Sequence, residues 1–159
     1  MDYSKLRVNL VRSTWEQCRR VPGGRGVFSR VIGTLVPYTG SIHADVEELR
    51  EGYARVAIRQ HRAITNHLNS VHAVALMNLG EMVTGLAVMY LMPASMRGIP
   101  VELSMEYEKK ARGRITAEAT VDAVEEGVTT QREVFADLKD ESGAVVARFR
   151  ARWQLSPKG

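Results

Sequence analysis

Three polar residues, set in and just before a long apolar run, offer this chain its clearest chemistry. Asn66, His72 and Glu81 are separated by six and nine positions, within a stretch (Asn66–Pro93) where a polar loop gives way to about twenty mostly apolar residues. A carboxylate held in an apolar helix can activate water or attack a carbonyl directly. The oxyanion that such an attack creates needs donors. A helix start supplies backbone N–H groups and a favourable dipole, which here means the N–H of Ala73 or Val74. The side-chain amide of Asn66 is a further donor. Each residue also has a competing structural reading. Glu81 is then an acid satisfied by Asn78, three residues earlier on the same face, or by an arginine. His72 then caps the helix and orients the loop, and Asn66 and Asn69 are turn formers.

The elements that must position these residues follow from periodicity. The run from Val71 to Met92, interrupted by Asn78, Glu81 and Thr84, predicts one long helix that is apolar almost all round. It is long enough to span a bilayer. A carboxylate near its middle and strands on both sides argue instead for a core helix and no membrane partner. Residues 4–19, with Leu6, Leu10, Val11, Trp15 and Cys18, predict an amphipathic helix. A second helix is expected from Val27 to Pro37, with the Gly23–Gly26 tract as a connector. From Tyr38 the period becomes two. Ile42, Ala44 and Val46, then Ala54, Val56 and Ile58, make a hairpin around a turn at 49–52. After the helix comes a linker, 95–100, and four alternating segments (101–109, 114–123, 129–139 and 145–154), expected to form a meander with a frayed tail. The fold class is α+β, with an antiparallel sheet of about six strands around one central helix and two helices ahead of it.

Bulk properties narrow the function classes. A chain of 159 residues, 45% hydrophobic and 25% charged, suits one soluble domain with a sizeable core. A net charge of +4 is too mild for a dedicated nucleic-acid binder. The single cysteine, Cys18, forms no internal disulfide, and the opening residues lack a signal-peptide core, so a cytoplasmic location is expected. The four histidines are scattered with no cysteine partners at ligand spacing, so no metal site is expected.

The order hairpin, loop, long helix and four strands resembles the hot-dog fold. Within it, the loop and helix resemble the thioesterases of the phenylacetate-degradation (PaaI-like) type. Their pattern is an Asn, a Gly three residues on, a His three further on, two Gly, and an acid nine positions after the His. This chain places Asn66, Asn69, His72, Ala73, Val74 and Glu81 there, with Gly98–Leu103 where the third strand of that family begins. Three departures stand out: Ala73 and Val74 replace two glycines, Asn69 stands where Gly is common, and Pro100 lies near a position where some members hold water with Ser or Thr. The resemblance covers about residues 38–155. It implies a hot-dog domain over 38–156 preceded by a helical extension over 1–37, as in a subgroup of the fold.

The resemblance further implies an acyl-CoA thioesterase that needs no cofactor besides the coenzyme A of its substrate. It implies a homodimer or dimer of dimers, because Glu81 lies roughly 13 Å along the helix from His72 and in that family the site spans two subunits. Glu81, Asn66, His72 and Ala73 are then the catalytic set. Asn69, Val74, Asn78, Lys109, Lys110 and Arg112 are substrate-binding candidates, the last three for coenzyme A phosphates. The alternatives are a solvated basic turn at 109–114 and, for the whole protein, a non-catalytic acyl-thioester or fatty-acyl binding module.

Overall fold

The computed structural model describes residues 8–158. Its elements run α1 (Val8–Cys18), α2 (Gly24–Leu35), the single turn α3 (Pro37–Gly40), β1 (Asp45–Arg50), β2 (Tyr53–Arg59), α4 (Ala73–Leu91), β3 (Met96–Tyr107), β4 (Arg114–Thr120), β5 (Thr130–Lys139) and β6 (Val145–Pro157). The six strands form one antiparallel sheet in the order β1-β2-β4-β5-β6-β3. It curls around α4, which touches every strand, while α1 and α3 pack on the helix elsewhere and α2 packs on α1, α3 and β1. This is the hot-dog architecture.

The alternation in the strands matches the buried face. Ala54, Val56 and Ile58 of β2, Ile115, Ala117 and Ala119 of β4, and Ala147, Phe149, Ala151 and Trp153 of β6 all lie inside. The long helix is core: 72% of its most apolar window is buried by the rest of the chain. Two glycines let it lie directly on β6. A Cβ on Gly80 would fall 2.3 Å from Phe149 Cγ, and one on Gly85 would lie 3.3 Å from the Trp153 ring. At its far end the Tyr90 hydroxyl donates to Glu16 Oε1 at 2.6 Å and the Arg12 guanidinium donates to the Tyr90 carbonyl, tying α1 to α4. Burial, reinforced by that bond to Glu16, pushes the Tyr90 phenol up to about 12.

Several expectations are corrected. The four last strands are not a meander: β4, β5 and β6 are, but β3 lies on the far side of β6 as an edge strand, and the 108–113 segment crosses the sheet end to reach β4. The stretch 95–100 is not a linker, since β3 begins at Met96. Pro100 is accommodated because an edge strand need not donate on both sides, and a bulge follows it. The tail is held as far as Lys158: Arg97 pairs with Ser156, and the Lys158 N–H donates to the Ser95 carbonyl at 2.8 Å, while Gly159 lies outside the described residues.

The glycine tract is not a connector either, because α2 starts at Gly24. A Cβ there would meet the Cys18 carbonyl oxygen at 1.9 Å, so only glycine lets the two helices meet. The turn α3 precedes the hairpin, so extended structure begins at Asp45 rather than Tyr38, and the hairpin turn tightens to Glu51–Gly52. The first helix is seen from Val8; Leu6 lies outside the described residues, and Leu10 is exposed rather than buried with Val11 and Trp15.

Candidate active site

The loop between β2 and α4 is a closed structure organised by Asn66. A bridge between Thr65 and Val71 pins its neck. Inside, Asn66 Oδ1 accepts from the Leu68 N–H (2.9 Å), the Ser70 N–H (3.2 Å) and the Ser70 hydroxyl (3.1 Å). Three donors around one atom identify it as the amide oxygen, so the NH2 group is the other branch and stays available as a donor. Asn69 has φ +53, the left-handed region that glycine and asparagine tolerate best. Its replacement of a common glycine is therefore conformationally mild.

Two residues unremarked in the sequence hold this loop, one beside its neck and one within it. Gln60 reaches Thr65 Oγ1 through its amide (3.3 Å) and accepts from the Gly113 N–H (3.1 Å). The buried Ser70 closes the Asn66 turn. Neither stood in a chemically suggestive spacing, so no local signal pointed to them.

The helix start is capped by His72. Its Nδ1 accepts from the Val74 N–H at 3.2 Å, and its carbonyl accepts from the N–H groups of Ala75 and Leu76. With Nδ1 as the acceptor, His72 serves as the N-cap of α4. The cap consumes the Val74 N–H and leaves that of Ala73 as the first-turn donor without a partner among the described residues. The Tyr107 hydroxyl, from the edge strand β3, donates to the Ala73 carbonyl at 3.1 Å and braces this turn. Burial raises the Tyr107 phenol above its ordinary range.

Farther along α4 the environment changes. Glu81 is half-buried on a helix whose middle is otherwise closed, and among the described residues it has no hydrogen-bonding or ionic side-chain partner. The neighbour that the sequence offered it, Asn78, is engaged elsewhere. Asn78 Nδ2 donates to the Tyr38 carbonyl at 3.1 Å, while its Oδ1 is buried without a donor. The structure thus gathers Asn66, Asn69, His72, Ala73 and Val74 at one end of the helix and leaves Glu81 and Asn78 farther along it, with Glu81 about 12 Å from Ala73 at the 1.5 Å rise per residue of an α-helix.

The basic candidates lie on the crossing segment beside the loop. Arg112 Nε donates to the Asn69 carbonyl at 3.0 Å, and the Ala111 carbonyl accepts from the Val71 N–H at 2.8 Å, so this segment is stitched to the loop. Lys109 pairs with Asp140 at 2.6 Å. That bond, followed by the Ser142 hydroxyl, holds the Asp140 carboxyl well below the usual carboxylate range. Lys110 is exposed. The arginines of β6 are paired within the sheet, Arg150 with Glu102 and Glu133, Arg152 with Glu102, and Arg148 with Glu108.

The family model described as a domain of unknown function (DUF4442) matches residues 24–155. No curated protein matches the sequence. Among solved structures, a structural-genomics protein designated APC5556 is 30% identical, over 94% of this chain and 99% of that one, with a TM-score of 0.82. PA5026 from Pseudomonas aeruginosa, described as a probable thioesterase, is 24% identical over 87% and 97% of the two chains, with a TM-score of 0.75. A point mutant of the thioesterase SAV0944 from Staphylococcus aureus is 15% identical over 76% and 99%, with a TM-score of 0.68. The shared architecture is the hot-dog fold found among thioesterases.

Proposed function

We propose, from the premise that this chain belongs to the DUF4442 family, that it hydrolyses an acyl-CoA thioester to the free acid and coenzyme A. The reading places it with PaaI-like enzymes of the cytoplasm. The carrying observation is the half-buried Glu81 carboxylate, which has no partner among the described residues of its own chain. An acid kept unpaired in an otherwise apolar helix is costly as structure and useful as chemistry.

The site is formed across a dimer interface. Glu81 of one subunit faces the loop and helix start of the other, because the roughly 12 Å between Ala73 and Glu81 is too long for one carbonyl carbon to meet both groups within a chain. The Asn66 amide and the Ala73 N–H receive the thioester oxygen. Glu81 takes a proton as water adds to the carbonyl carbon, or adds to that carbon itself to give a mixed anhydride that water then hydrolyses to the free acid and the Glu81 carboxylate. The negative charge collects on the oxygen between those two donors. Collapse breaks the C–S bond, and coenzyme A leaves as a thiolate that is then protonated. Lys110 is the exposed cation best placed for a coenzyme phosphate, since Lys109 and Arg112 already serve Asp140 and the loop. One observation favours the second reading, a non-catalytic acyl-thioester binding module: the His72 cap occupies the Val74 N–H, removing one oxyanion donor.

The test is release of free thiol from a panel of acyl-CoAs by the wild type, Glu81→Ala and Asn66→Ala, with sedimentation to verify the dimer. Turnover lost in both variants while the dimer persists supports the mechanism. Unchanged turnover in Glu81→Ala removes the role given to that residue, and tight binding without turnover by the wild type selects the binding module.

A further inference from the structure

The first four N–H groups of a helix have no ordinary intrahelical acceptor. In α4, that of His72 reaches the Ile64 carbonyl at 2.8 Å, that of Val74 reaches His72 Nδ1 at 3.2 Å, and that of Ala75 reaches the His72 carbonyl at 2.9 Å. The fourth, that of Ala73, has no partner among the described residues, and Ala73 is exposed. The direction of this unspent donor depends on the backbone angles of Ala73. Those angles are limited by the pose of the next peptide, which joins Ala73 to Val74.

That peptide is held at both ends by side chains. His72 Nδ1 accepts from its N–H, and the Tyr107 hydroxyl donates to its C=O at 3.1 Å. The two holders come from different elements. His72 caps the helix itself, whereas Tyr107 is the last residue of β3, 34 positions from Ala73. Among the described residues, no other side chain of that edge strand hydrogen-bonds to α4. Burial raises the Tyr107 phenol, so the hydroxyl keeps the proton it donates. The bond is exposed, where water competes for both partners and the net gain in stability is small. What it supplies is direction.

We infer that Tyr107 is a positioning residue for the oxyanion site: with His72 it clamps the Ala73–Val74 peptide and so aims the Ala73 N–H at the thioester oxygen. The inference rests on the thioesterase reading above, and it gives the edge strand a part in that reaction.

The experiment measures kcat and KM with the acyl-CoA that the wild type turns over fastest, for the wild type, Tyr107→Phe, His72→Ala and the double variant. Thermal melting is the folding control, and NMR gives the hydrogen-exchange rate of the Val74 amide. Tyr107→Phe should lower kcat about fivefold, the size of one modest hydrogen bond, with KM and melting temperature unchanged. Its Val74 amide should exchange several-fold faster. Because either loss frees the same peptide, the double variant should be no slower than the worse single variant. An unchanged kcat in Tyr107→Phe, a loss confined to KM, or losses that multiply in the double variant overturn the assignment. Should His72→Ala not fold, Tyr107→Phe decides alone, by kcat and by exchange. If the wild type turns over no acyl-CoA, the thioesterase reading fails, and exchange judges the clamp separately: faster exchange in Tyr107→Phe sustains it, and an unchanged rate overturns it.

Discussion

The two ends of the candidate site are built on opposite plans. At the start of α4, nearly every polar group is used: Asn66 Oδ1 takes three donors, His72 caps Val74, Tyr107 braces Ala73, and Arg112 holds Asn69. Two and a half turns on, Glu81 has no partner among the described residues and Asn78 Oδ1 is buried with none. The satisfied end is a scaffold that leaves two donors without a partner among the described residues, the Asn66 NH2 and the Ala73 N–H. The unsatisfied end has polar groups that folding leaves without partners among the described residues. One region is set by local folding; the other, in the function proposed above, is completed by a second subunit and a ligand.

The comparison breaks most visibly in a mixing experiment. Glu81→Ala and Asn66→Ala are each expected to lose about a hundredfold or more in turnover. If the site joins two subunits, mixing and reassociating the two inactive proteins should restore roughly a quarter of wild-type activity, because half of the dimers then hold one intact site. A site contained in one chain gives no recovery.

A smaller effect sharpens the role of Asn66. Asn66→Asp keeps the oxygen that organises the loop and removes the donating NH2. Turnover should fall about a hundredfold while melting temperature stays close to that of the wild type; Asn66→Ala should lower both. Equal melting losses in the two variants would mean that the loop does not depend on that oxygen.

The next effect is on stability alone. Gly80→Ala drives a methyl into the Phe149 ring and is expected to cost about 1–3 kcal/mol, seen as a lower urea midpoint with unchanged slope.

The smallest effect concerns the crossing segment. Asp140 is held below its ordinary range in the folded state, chiefly by Lys109. Its contribution is therefore present above the unfolded carboxylate value near 4 and is lost as pH falls through the lower folded value. Lys109→Ala should lower stability slightly at neutral pH, as expected for an exposed pair, and that difference from the wild type should shrink and vanish as the pH falls into the strongly acidic range, which a set of melting curves from neutral to strongly acidic pH will show.

What the sequence disclosed follows from where the physics is local. Alternation reveals a strand because one face is buried, and β2, β4 and β6 were legible for that reason. The place of β3 was not, since its alternation suits pairing with β4 as well as with β6, and the long crossing that separates β3 from β4 leaves no local mark. Gly98 and Pro100 made its first half look like a linker. In the fold, Gly98 lies against Leu155 and Pro100 occupies an edge. Glu81 was conspicuous as an acid in an apolar run, and the spacing to His72 fixed its distance along the axis. The partner of Asn78, by contrast, is Tyr38, forty positions away, and the hold of Arg112 on the loop spans a similar gap. Contacts across such separations are decided by topology, which no window of sequence contains.

The contact between Gly80 and Phe149 has a consequence for rate as well as for stability. With no room for even a methyl between helix and sheet, α4 sits directly on β6, and Glu81 is the residue directly after that contact. In the proposed mechanism its backbone is then positioned by packing before any substrate arrives, so that share of the reorganisation is settled during folding and does not recur at each turnover.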